Sequence, residues 1–135
     1  MNVLDGLNES QILATKVING PIMVIAGAGS GKTKVLTHRI AYLIENGVDP
    51  FNILSLTFTN KAAQEMKQRI SLMVGEDKAR NIWMGTFHSV FARILRVEHE
   101  KIGFPSNFTI YDTQDSKSLI KTIVKEKNLD DKLYK

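Results

Sequence analysis

An α/β fold built on a parallel sheet is predicted by three features of this 135-residue chain. Apolar runs of strand length, at Ile22–Ile25, Ile53–Phe58 and Ile82–Thr86, alternate with segments of helical periodicity. The spacing between runs leaves room for a helix in each connection, which implies right-handed crossovers and helices on the sheet faces. The first run opens directly into Ala26-Gly27-Ala28-Gly29-Ser30-Gly31-Lys32-Thr33 and then into an amphipathic segment. That order is what a phosphate-binding loop needs. Glycines take backbone angles closed to other residues, and successive N–H groups converge on an anion at a helix N-terminus. Lys32 is then expected to reach the β- and γ-phosphates, and the Thr33 hydroxyl to hold Mg²⁺. Ala26 stands where the pattern usually has its first glycine and is still small enough for a close approach.

The elements follow in order. Leu7–Asn19 reads as a first helix, with Asn8 and Gln11 in a capping box and Asn19-Gly20-Pro21 as its stop. The helix after the loop carries Val35, Leu36, Arg39, Ile40, Leu43 and Ile44 on one stripe and ends at Asn46-Gly47. After the second strand, Asn60 is the expected cap of a helix that turns Ala62, Ala63, Met66, Ile70 and Met73 inward. After the third, Phe87, Val90, Phe91, Ile94 and Leu95 mark a strongly periodic helix. Trp83 reads as a core residue of its strand. Beyond Gly103–Asn107 the character changes. Phe108–Tyr111 reads as a short strand, Asp112 as the cap of a lysine-rich helix, and Leu129–Lys135 as the start of another polar segment.

Composition narrows the function. A hydrophobic content of 43% and a charged content of 24% describe an ordinary globular domain. At this length about two-thirds of the unfolded surface can be buried, enough for a real core. The absence of cysteine excludes disulfide frameworks and thiolate metal sites. No apolar run approaches membrane-spanning length, and Met-Asn-Val-Leu-Asp-Gly does not read as a signal peptide, so a cytoplasmic location is expected. The net charge of +4 leans toward a polyanionic partner.

Ligand-binding loops in such a sheet lie at the carboxyl ends of the strands. Besides the phosphate loop, two stretches fall there: Thr57-Phe58-Thr59-Asn60-Lys61 and Gly85-Thr86-Phe87-His88-Ser89. Each combines an aromatic with hydroxyl, amide or basic groups at a helix start. Aromatic faces stack on bases of single-stranded nucleic acid, and hydroxyls and helix N–H groups hold phosphates. The alternative is structural: Phe58 and Phe87 as core, Asn60 and Thr86 as caps. Gln11 is likewise either a capping-box residue or an amide that reads donor and acceptor on adenine. His88 is a surface residue or a contact, and Lys117, Lys121, Lys125 and Lys127 a solvated face or phosphate contacts. No set of residues stands at transition-metal ligand spacing.

Together these stretches resemble the UvrD/PcrA/Rep-type superfamily 1 DNA helicases. Leu7-Asn8-Glu9-Ser10-Gln11 resembles the family's glutamine motif, Ala26–Thr33 its motif I with the initial Ala, Leu56–Ala63 its motif Ia, and Gly85–Ser89 its motif Ib. The order and spacing match across nearly the whole chain. The resemblance implies a P-loop, RecA-like motor domain at residues 1–110, incomplete, followed at 111–135 by the start of a helical insertion. It implies ATP and Mg²⁺ as cofactors, with Gln11 at the adenine and Ala26, Gly27, Ala28, Gly29, Ser30, Gly31, Lys32 and Thr33 at the phosphates. Lys34 stands where the family often has an adenine-stacking arginine, and a lysine stacks less well. Phe58, Thr59, Asn60, Lys61, Thr86, Phe87 and His88 become DNA contacts.

The implied activity is 3′→5′ translocation along single-stranded DNA and unwinding at single-strand/duplex junctions. The family's Asp-Glu pair on a following strand has no counterpart, since Asp130-Asp131 does not follow an apolar strand. The arginine fingers and second motor domain are also missing. The chain is therefore expected to be an N-terminal fragment that binds nucleotide weakly and hydrolyses little. A small-molecule kinase or a noncatalytic module on the same loop are the competing readings.

Overall fold

The computed structural model describes residues 2–129. They form α1 (Glu9–Lys16), α2 (Lys32–Glu45), β1 (Leu54–Thr57), α3 (Asn60–Val74), α4 (Glu76–Arg80), β2 (Trp83–Thr86), α5 (Phe87–Val97) and α6 (Thr113–Glu126), with short 3₁₀ turns at Pro50–Asn52 and His99–Ile102. The architecture is α/β with a two-stranded parallel sheet, Leu54 level with Trp83 and Thr57 with Thr86. The backbone divides into two compact units, Met1–Phe91 and Ala92–Lys135.

In the first unit the core gathers Ile40 and Ile44 of α2, Ile53, Met66 and Ile70 of α3, Ala79 and Ile82. Ile40, Ile44, Met66 and Ile70 are inward positions of the predicted stripes, brought together with the others because α3 packs on both strands and on α2. Ser55, buried in β1, donates its hydroxyl to the Met66 sulfur at 3.4 Å. Buried Thr15 and Thr37 return theirs to the carbonyls of Gln11 and Lys34, and no buried side-chain nitrogen or oxygen among the described residues is left unmatched. Gly47, at φ 86°, closes α2: Val48 N–H reaches back to the Leu43 carbonyl at 3.0 Å. Trp83 is half-buried rather than fully enclosed.

Three expectations are corrected. The apolar run at Ile22–Ile25 is not a strand. Among the described residues it has no ladder partner, β1 and β2 pairing with each other, and Met23 and Ile25 are 82% and 87% exposed. Apolar composition reports what a buried strand contains; a ladder also needs a neighbour to receive its N–H and C=O groups. The cap of α3 is Thr59, whose hydroxyl accepts the Ala62 N–H at 3.1 Å; Asn60 is the first helical residue. Phe108–Tyr111 forms no strand.

In the second unit, Gly103 at φ 69° reverses the chain after the His99–Ile102 turn. The Phe104 and Phe108 rings then meet edge-on at 6.1 Å, and the Arg96 guanidinium lies 5.6 Å from the Phe108 centroid. Asp112 caps α6 as expected, in a reciprocal box with Asp115. Lys117, Lys121, Lys125 and Lys127 are exposed. Asp130-Asp131 and most of the polar segment predicted at Leu129–Lys135 lie outside the described residues. Among the described residues no helix is long and apolar enough to cross a membrane.

Candidate nucleotide and nucleic-acid sites

The Ala26–Thr33 loop is built from local bonds. Ser30 N–H and Oγ both donate to the Gly27 carbonyl, at 3.3 and 2.6 Å, folding the turn. Gly29 and Gly31 sit at φ 74° and 88°, a region costly for residues with a Cβ. Gly31 caps α2 without a side chain of its own, so the first N–H groups of α2 face outward with no side-chain acceptor from the cap. The Lys32 ammonium folds back over the turn and donates to the carbonyls of Ala26 (3.0 Å) and Gly27 (2.6 Å). Its charge is thereby held against two carbonyls of its own loop. Thr33 is exposed in the first turn of α2.

Gln11 makes the capping box and also reaches the loop. Its Oε1 accepts the Asn8 N–H at 3.1 Å, and Asn8 Oδ1 accepts the Gln11 N–H at 2.9 Å, completing the capping box. Its Nε2 donates to the Ser30 carbonyl at 3.1 Å, so the amide lies against the loop. The approach is close: a Cβ on Gly31 would come within 2.9 Å of that nitrogen. The Lys34 ammonium donates to the Gly6 carbonyl at 2.5 Å.

A second cluster forms at the carboxyl ends of the two strands. Parallel register sets Thr57 and Thr86 side by side, so the residues after them become neighbours. Phe58 and Phe87 meet with centroids 5.5 Å apart and planes tilted by 41°. Phe58 is 90% exposed and Phe87 42%, which removes the core reading of Phe58. Asn60, Lys61 and His88 are exposed on the two helix starts beside the rings.

Thr86 does act as a cap. Its hydroxyl accepts the Ser89 N–H at 3.2 Å, and Ser89 Oγ returns a bond to the Thr86 carbonyl at 3.0 Å. Gly85 permits that closeness, since a Cβ there would stand 2.7 Å from Ser89 Oγ and 3.0 Å from Val90 Cγ2. Among the described residues no three His, Cys, Asp or Glu gather as metal ligands. Sequence reasoning missed Arg39, assigned to the apolar stripe of α2; the structure turns its guanidinium onto α1. A charged residue inside an otherwise apolar stripe was the available signal.

A sequence profile of the UvrD/REP helicase N-terminal domain matches residues 7–135. The chain belongs to this family. The UvrD/REP assignment is supported by relatives named ATP-dependent DNA helicase PcrA. That of Staphylococcus aureus (strain Mu50) is 53% identical over 133 residues, 98% of this chain. That of Staphylococcus epidermidis (strain RP62A) is 54% identical over 136 residues, 99% of this chain. The chain spans 18% of the length of each of these curated relatives.

Proposed function

We propose that this chain is the ATP- and single-stranded-DNA-binding part of an ATP-dependent 3′→5′ DNA helicase. On this reading residues 1–110 are part of a RecA-like P-loop domain with helices on both sheet faces, and residues 111–135 begin a helical insertion. The observation that carries it is the convergence of Gln11, the left-handed glycines, Lys32 and the start of α2 on one turn. Backbone N–H groups from Gly27 to Lys32 receive the β-phosphate, and Lys32 exchanges its loop carbonyls for γ-phosphate oxygens. Gln11 meets the adenine edge.

Thr33 fits a Mg²⁺ ligand. It is exposed at the loop, and this ion keeps most of its waters, needing few protein groups besides the phosphates. When bound, the ion neutralises charge on the β- and γ-oxygens. With no Asp-Glu pair after an apolar strand to position water, the 135 residues bind nucleotide weakly and hydrolyse little. The rest of the active site is supplied by the remaining motor domains of the parent protein, which works in the cytoplasm.

Phe58 and Phe87 form the stacking platform for DNA bases, with Thr59, Asn60, Lys61, Thr86 and His88 around the backbone. Stacking on a π-face does not read sequence, so two unrelated single strands should bind equally. Affinity should fall with salt at a log–log slope of about −0.7 per phosphate contacted. Fluorescence anisotropy over a salt series checks both. Salt-independent binding, or strong preference for one strand, contradicts the reading.

A further inference from the structure

The attachment of α1 to α2 is polar where an apolar seam would be usual. Only Thr15 of α1 is buried, and Leu13 is 68% exposed. Three side chains of α2 grip the backbone on both sides of Gln11 instead. Upstream, Lys34 Nζ donates to the Gly6 carbonyl at 2.5 Å, and His38 Nδ1 lies 2.5 Å from the carbonyl of buried Val3. A carbonyl only accepts, so that ring nitrogen carries the proton. Downstream, Arg39 Nη1 donates to the Ala14 carbonyl at 3.1 Å and to that of Val17. Carbonyls at a helix C-terminus lack intrahelical partners, and a cation there also opposes the helix dipole. Lys34 lies one turn before the adjacent pair His38 and Arg39 on α2, and these bonds go to the backbone of α1 and its flanks rather than to the phosphate loop.

We infer that Arg39, with His38 and Lys34, is a positioning residue that fixes α1 so that the Gln11 amide sits in register for adenine; this rests on the reading of Gln11 as the base contact. The capping box fixes Gln11 relative to Asn8, and the clasp fixes both relative to α2 and the loop. Loosening the clasp therefore degrades base recognition and leaves the phosphate grip in place. Lys34 belongs to this clasp rather than to the base. An arginine suits the downstream position, because its planar guanidinium fixes the directions in which Nη1 donates to the two carbonyls, whereas an ammonium on a flexible stem rotates freely.

The test compares Arg39→Ala, Arg39→Lys and Gln11→Ala in the full chain, by competition of ATP, GTP and inorganic tripolyphosphate against a fluorescent nucleotide. Arg39→Ala is expected to lower the ATP-over-GTP preference about fivefold or more, approaching Gln11→Ala, with tripolyphosphate affinity within about twofold of the unaltered chain. Arg39→Lys should fall between. Retained preference in Arg39→Ala, with preference lost in Gln11→Ala, overturns the assignment. So does an equal loss of tripolyphosphate, which would make Arg39 a support of the whole loop. If Gln11→Ala itself keeps the preference, the adenine reading fails, and this assignment with it.

Discussion

Replacing Lys32 with alanine is expected to lower ATP affinity by roughly 10- to 150-fold, the worth of a hydrogen bond from a charged donor (about 1.5–3 kcal/mol). The fold should survive. The side chain is exposed, and it bonds to two carbonyls of its own loop, which water can satisfy in its absence. Calorimetric titration of ATP, with a thermal melt of the same preparation, separates the two effects. Unchanged affinity in a folded Lys32→Ala chain would remove the loop from the account.

Phe58→Ala should weaken single-stranded DNA binding by roughly 5- to 150-fold, from the loss of about 1–3 kcal/mol of base stacking. Its 90% exposure makes the variant clean: little packing is lost, and stability should move by no more than about 0.5 kcal/mol. Phe58→Trp should restore binding. Anisotropy with a labelled strand reads the first effect and a denaturant melt the second. DNA affinity that ignores Phe58 would return this ring to an incidental surface position.

Both predictions concern loops, and the sequence exposed loops and caps more fully than the sheet. The Asn8/Gln11 and Asp112 caps, the Asn46-Gly47 stop and the inward faces of α2 and α3 were legible because each depends on residues within one or two turns. The lack of a ladder at Ile22–Ile25 was not, because pairing depends on a distant neighbour that local composition cannot report. Phe58 was ambiguous for a related reason. An aromatic after a strand is core or platform according to what lies opposite, and only the register of Thr57 with Thr86 brought Phe87 beside it. The clasp residues were obscured by their own spacing: Arg39 falls on the stripe that an apolar residue would occupy, and its partners are backbone carbonyls, which carry no sequence signature.

The two tasks of Gln11 bear on how sequence motifs are read. A capping role did not exclude a place beside the loop: the side chain accepts from Asn8 through its oxygen and donates to the Ser30 carbonyl through its nitrogen. Capping holds the amide oxygen and leaves the NH₂ group toward the loop. That division is also why the loop and α1 are coupled, and why a change on α2 is expected to reach the base.

The central claim is that the backbone from Gly27 to Thr33 grips the terminal phosphates. Titrating the ¹⁵N-labelled chain with Mg·ADP, and following each amide, tests it most directly. The account predicts the largest shifts at Gly29, Ser30, Gly31, Lys32 and Thr33, with the Gln11 side-chain amide moving alongside them. Shifts confined to other surfaces, with these amides unmoved at saturating nucleotide, would contradict it.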